Sequence, residues 1–155
     1  MTATIVSTPT TVPPATRIRA ALATWPVWAV GLVSTLVAAV AAMAVAAVAK
    51  AADVPLAVAA SGETPETIPT SGFATVVVGA GLVGTLLAVA LRRWSSRPAR
   101  TFVAVTGALT VVSFLSPTPV MAPEATMATR LVLELTHVVA AAVIVPSLAY
   151  RLRRS

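Results

Sequence analysis

The 155-residue chain has no cysteine, a single histidine, few aromatic residues (5%) and few charged ones (10%). Each shortage excludes something. Without cysteine there are no disulfides, no thiolate nucleophile and no Cys-ligated metal, and the redox compartment stays open. The one histidine has no nucleophile and acid at motif spacing, so no hydrolase or transferase triad can be drawn and the chain reads as non-enzymatic. A soluble domain carries roughly 25% charged residues, so a charged share of 10% points to lipid as the solvent. The formal charge is +6, yet the arginines stand at the ends of apolar runs and form no stripe with interleaved aromatics. Nucleic acid is therefore not an expected partner.

What the chain does have is 57% hydrophobic residues, gathered into four uncharged runs. About 20 residues at a rise of 1.5 Å cross a hydrocarbon layer of roughly 30 Å. The first, second and fourth runs meet this length. The third is halted by Pro117 and Pro119 and crosses only with residues borrowed from "PTPVMA" or with local thinning of the bilayer. A re-entrant hairpin is its alternative.

The predicted fold is an all-α bundle of four transmembrane helices, spanning about 26–49, 73–91, 101–117 and 126–149 in a membrane domain over 17–155. Residues 1–16, "MTATIVSTPTTVPPAT", read as a disordered cytoplasmic tail, being rich in Thr and Pro without an apolar face. A cleaved leader is the rival reading. Its apolar core would be roughly 7–15 residues, whereas the run here covers 25–49, which favours retention as the first helix. That helix is expected to start with Thr24 as N-cap and Pro26 in the first turn. The outer loop, 50–72, reads as a lid over the bundle or as a solvated linker, with a short strand in "VPLAVAAS".

Orientation follows from arginine placement. With four spans, one side collects Arg17, Arg19, Arg92, Arg93, Arg97, Arg100, Arg151, Arg153 and Arg154 and no acid. The other collects Lys50 and Arg130 with Asp53, Glu63, Glu66 and Glu124. The arginine-rich side, with both termini, is expected to be cytoplasmic. Trp25, Trp28, Trp94 and Tyr150 fall at the same helix ends, where amphipathic rings favour the headgroup zone.

Residues 79–84, "GAGLVG", satisfy the dinucleotide fingerprint G-x-G-x-x-G. A true site needs a second strand ending in an acid about 20 residues on. Here the first acid after Gly84 is Glu124, and no strand–helix alternation exists for a sheet. No nucleotide or other cofactor is expected. Read as one helix, the segment puts Ala80, Gly84 and Ala88 at i, i+4 and i+8, a small-residue groove for a neighbouring helix. The first helix offers a matching row, Ser34, Ala38, Ala42 and Ala46.

Ionisable residues deep in the membrane occur only in the fourth run, "ATRLVLELTHVVAAA". Arg130, Glu134 and His137 are spaced by four and three and share a helical face. His137 falls near the midplane, Glu134 a turn outward, and Arg130 near enough to the surface to snorkel. A charge at the centre costs on the order of 3 kcal/mol, so Glu134 should face the bundle, protonated or paired with Arg130 or His137. Two roles stay open. One is a proton relay or ligand site; the other is interhelical glue to Thr106, Thr110 or Ser113 on the third helix. The Glu-x-x-His pair also matches half of a carboxylate-bridged metal site, but no second His and no further intramembrane carboxylate accompany it, so no metal is expected.

"RRWSSRPARTF", "SFLSPTP" and above all "ATMATRLVLELTHVVAAAVIVPSLAYRLRR" resemble a domain-of-unknown-function family of small four-helix bacterial membrane proteins. The resemblance implies an integral membrane protein of four spans and carries over no activity and no site residue; the expected location is the bacterial plasma membrane, as a multi-pass protein. The expected role is helix association, as self-assembly into a homo-oligomer or as a partner subunit in the lipid bilayer. The alternatives are a proton-linked carrier using Glu134 and His137, and an intramembrane enzyme acting on a lipid or quinone.

Overall fold

The computed structural model describes residues 24–59, 64–113 and 125–154. Among them four helices follow one another: α1 (Val27–Ala51), α2 (Thr70–Trp94), α3 (Pro98–Ser113) and α4 (Met127–Leu152). Two short strands, β1 (Ala57–Val58) and β2 (Glu66–Thr67), lie between α1 and α2 and pair antiparallel. The architecture is all-α. The tail 1–16, Arg17, Arg19, Glu63, Glu124 and the end of the third run with Pro117 and Pro119 lie outside the described residues.

Proline sets three of the four helix starts. Pro26 is the N-cap of α1, held extended at φ −63° and ψ 149°. Its carbonyl accepts from the N–H groups of Ala29 and Val30 at 3.0 and 3.2 Å. The helix thus begins after Pro26 and not at Thr24, because a residue preceding proline is pushed out of the α region and Trp25 cannot continue a turn begun at Thr24. Pro69 opens α2 in the same conformation, and Pro98 is the first residue of α3. The fourth start is capped by a side chain: Thr126 Oγ1 accepts from the Thr129 N–H at 3.1 Å.

Three helices, α1, α2 and α4, are long and apolar enough to cross a membrane. The 16 residues of α3 make about 24 Å, less than the roughly 30 Å of a hydrocarbon core. The outward faces are apolar as well: Leu36, Val40, Val48, Leu86 and Val111 are 62–70% exposed. Helices apolar around their whole circumference belong in lipid or in a large core, and a chain this small has no such core.

α1 packs on both α2 and α4 and supplies the largest share of the core. Its buried face includes Ser34, Ala38, Ala42 and Ala46, together with Gly31, Thr35 and Ala39. The contact with α2 is reciprocal. Gly31 meets Thr85, and Gly81 meets Thr35, so closely that a Cβ on either glycine would overlap the threonine side chain. This pairing fixes the two helices antiparallel and in register.

The packed face of α2 is accordingly Phe73, Val77, Gly81, Thr85 and Ala88. Of the expected groove only Ala88 lies on it. Ala80 is exposed, Gly84 is half-buried, and a Cβ on Gly84 would meet nothing within 4 Å. Gly81 and Gly84 stand about 60° apart around a helix, and the branched Thr35 side chain selects the Gly81 notch.

α4 is tied to the start of α1 by its buried Arg151, whose Nε donates to the Trp25 carbonyl at 2.6 Å. Since only Ser95–Arg97 separate α2 from α3, the start of α1, end of α2, start of α3 and end of α4 meet at one end of the bundle. That end holds Arg92, Arg93, Arg97, Arg100, Arg151, Arg153 and Arg154 with Trp25, Trp28, Trp94 and Tyr150. Arg154 stacks on the Tyr150 ring, 4.9 Å from its centroid.

The opposite end is covered by the β1–β2 ribbon. Asp53 and Leu56 take positive φ, 56° and 38°, which turns the chain back across the helices. Leu56 is fully buried, its carbonyl accepts from the Ile68 N–H at 2.8 Å, and Val54 and Ile68 pack on the core. The described part of the loop is a lid, and burial of Leu56 offsets its unfavourable backbone conformation.

The register makes opposite demands on neighbouring glycines. Gly81→Ala forces a methyl group into Thr35 and should destabilise the protein by about 1–3 kcal/mol, whereas Gly84→Ala enters open space and removes the roughly 1 kcal/mol helix penalty of glycine. Thermal unfolding in detergent should show a lowered midpoint for the first variant and an unchanged or raised one for the second.

Candidate apolar cavity between the second, third and fourth helices

With α1 packed on both α2 and α4, and α3 resting mainly on α4, a cavity of about 430 Å³ remains among α2, α3 and α4. No α1 residue lines it. The α2 wall runs from Gly72 and Phe73 to Leu87 and is apolar throughout, with Ala80 and Gly84 in its middle. The small residues expected to admit a neighbouring helix therefore widen a cavity instead. Phe102, fully buried, closes the arginine-rich end, and Ile68 of the lid borders the other.

The polar side chains of the wall come from α3 and α4: Thr106, Thr110, Ser113, Thr136 and His137. The three α3 hydroxyls are spaced by four and three, which puts them in a line along one face. Each donates to a carbonyl of its own helix: Thr106 to Phe102 at 2.7 Å, Thr110 to Thr106 at 2.8 Å and Ser113 to Thr110 at 2.7 Å. Thr136 donates to Val132 at 2.8 Å. His137 follows the same rule, with Nδ1 2.7 Å from the Leu133 carbonyl. A carbonyl oxygen only accepts, so the Nδ1 proton is committed there and Nε2 is the ring nitrogen that remains.

These bonds run within helices where glue between α3 and α4 was one expectation. His137 and the hydroxyls of Thr106, Thr110 and Ser113 do come together, as neighbours around one cavity rather than as a bonded pair. Arg130 and Glu134 lie on the same helix, both half-buried, outside the cavity wall. Of the three residues of that sequence pattern, His137 alone is in the cavity wall. The α4 cavity face is 136–137, 140–141 and 144–145, and Glu134 and Arg130 precede it on the same side of the helix, nearer the start of α4.

The G-x-G-x-x-G segment lies inside the unbroken helix α2, Thr70–Trp94. No strand–turn–helix exists there to cradle a phosphate.

A model of a family of unknown function, DUF6069, matches residues 22–154. The chain belongs to that family. All four helices, the lid and the cavity of this DUF6069 chain fall inside the matched range. No curated protein and no solved structure matches the chain.

The feature that reading the sequence missed is the reciprocal Gly–Thr contact. Its signal was present as a repeat: "GLVST" at 31–35 and "GLVGT" at 81–85. Two copies of a Gly-x-x-x-Thr element, run antiparallel, bring each glycine opposite the other copy's threonine.

Proposed function

We propose that this DUF6069 chain is a four-span protein of the bacterial plasma membrane, with both termini and the arginine-rich end cytoplasmic. In this reading α3 crosses the bilayer with help from the residues that follow it. The protein works without catalysing a reaction, by holding an apolar, membrane-borne molecule in the cavity among α2, α3 and α4. The observation that carries this is the cavity itself: about 430 Å³, walled by three helices and lined mainly by apolar side chains, within the size range of ligand sites.

Two further observations support binding over the other roles. The small residues that would serve self-association are largely used inside the chain, Gly31 and Gly81 on threonines and Ser34, Ala38, Ala42 and Ala46 in the core. Of Arg130, Glu134 and His137, only His137 stands in the cavity wall, which favours a ligand contact over a relay along α4.

The topology is open to single-cysteine labelling, because the chain has no cysteine of its own. In intact cells Thr64→Cys and Thr126→Cys should react with an impermeant maleimide, and Ser96→Cys only after permeabilisation. Protection of Thr126→Cys would mean that α3 does not cross. For the ligand site, a diazirine-bearing hexadecane photolysed in bilayers should label Thr106, Thr110, Ala140, Ala141 and Ile144, which line the cavity. Gly84→Phe, which fills the cavity, should abolish that labelling and leave labelling around Leu36 and Val40 unchanged. Equal loss or persistence at both places would remove the cavity from consideration.

A further inference from the structure

The cavity has two unlike walls, and their chemistry narrows what it can hold. The α2 side offers no polar side chain. The α3 and α4 sides carry four hydroxyls and one imidazole, and each of these has already given its proton to a carbonyl of its own helix, at 2.7–2.8 Å. A hydroxyl has one proton and two lone pairs, and a neutral imidazole with Nδ1–H has only a lone pair at Nε2. Among the described lining residues, what remains for a ligand is a set of acceptors with no matching donors.

The acceptors are also placed unevenly. α3 runs from the arginine-rich end toward the lid, and α4 runs the opposite way. Ser113 at the end of α3, Thr110 one turn before it, and Thr136 and His137 in the first half of α4 therefore share the lid half of the cavity. Toward the arginine-rich end the lining is Phe102, Leu87, Ile144 and Val145, all apolar.

Resting on the reading of this cavity as a ligand site, we propose that its ligand is an amphiphile with a hydroxyl donor at one end, a lipid alcohol in the broad sense. The hydroxyl lies in the lid half, donating to His137 Nε2 or to a hydroxyl oxygen of Thr110 or Ser113. The hydrocarbon lies along the α2 wall toward Phe102. In a bilayer interior a hydroxyl proton without an acceptor is costly, so a row of acceptors recognises an alcohol and gains nothing from an ether or an alkane.

The test is competition against the diazirine-bearing hexadecane in bilayers, using dodecan-1-ol, dodecyl methyl ether and dodecane. The alcohol should displace labelling at Thr106, Thr110, Ala140, Ala141 and Ile144 at about tenfold lower mole fraction than either of the others. His137→Phe should reduce that preference to within about twofold, and Thr110→Val, which keeps size and shape, should lower it in the same direction. Equal competition by all three compounds would overturn the alcohol while leaving an apolar ligand site intact. An ether as effective as the alcohol would do the same. No competition by any of them would remove the site and its ligand together.

Discussion

The close approach of α1 and α2 is the constraint on which the remaining structure depends. Hydrocarbon surroundings give helices no hydrophobic reason to associate, so packing of small residues has to supply it. Gly31 and Gly81 let the two backbones approach until each glycine is covered by a threonine of the other helix. Thr85 satisfies its hydroxyl on the Gly81 carbonyl at 2.7 Å. Thr35 Oγ1 has no hydrogen-bond partner and is pressed over Gly81, where a Cα–H···O contact worth about 0.5–1 kcal/mol is available to it. Because the two motifs are copies of one another run in opposite directions, the pair defines register as well as distance.

From that register the other features follow in order. α1 packs on α2 and also on α4, and its small residues Ala38, Ala42 and Ala46 are buried in the core. Arg151 then fixes the far end of α4 to the first residues of α1. α2 and α4 both pack closely on α1 and touch each other far less. The space left between α2 and α4 is what α3, the shortest helix, only partly fills. The cavity is thus a geometric consequence of a tight contact elsewhere, and Gly84 and Ala80 enlarge it because they carry so little side chain into it.

How much of this could be read from the chain depends on how local the physics is. Helix positions and the gathering of Arg92, Arg93, Arg97, Arg100, Arg151, Arg153 and Arg154 at one end were legible, since apolar length and terminal charge are properties of single segments. The start of α1 was legible in principle: Trp25 precedes a proline and is barred from the helix by its own backbone. The choice of Gly81 over Gly84 was not legible from α2 alone. Both glycines sit on plausible faces, and only the partner's Thr35 distinguishes them. That His137 lines the cavity and Glu134 does not is of the same kind. Spacing by three and four puts residues on one side of a cylinder, but where the edge of a cavity cuts that side is decided by the neighbouring helix.

The threonines show why a polar residue in a membrane helix need not signal an interhelical bond. In water a hydroxyl can leave its side-chain partner at little loss; in hydrocarbon it cannot, and the nearest acceptor is the carbonyl one turn back. Thr85, Thr106, Thr110, Thr136 and Ser147 all make that bond, at 2.7–2.8 Å. The bond satisfies the proton and leaves the oxygen's remaining lone pairs unused. On Thr85 this matters little, since the surface it faces is glycine backbone. On Thr106 and Thr110 the oxygens border an otherwise apolar space, and the same intrahelical bond that stabilises the helix gives the cavity its hydrogen-bonding sign.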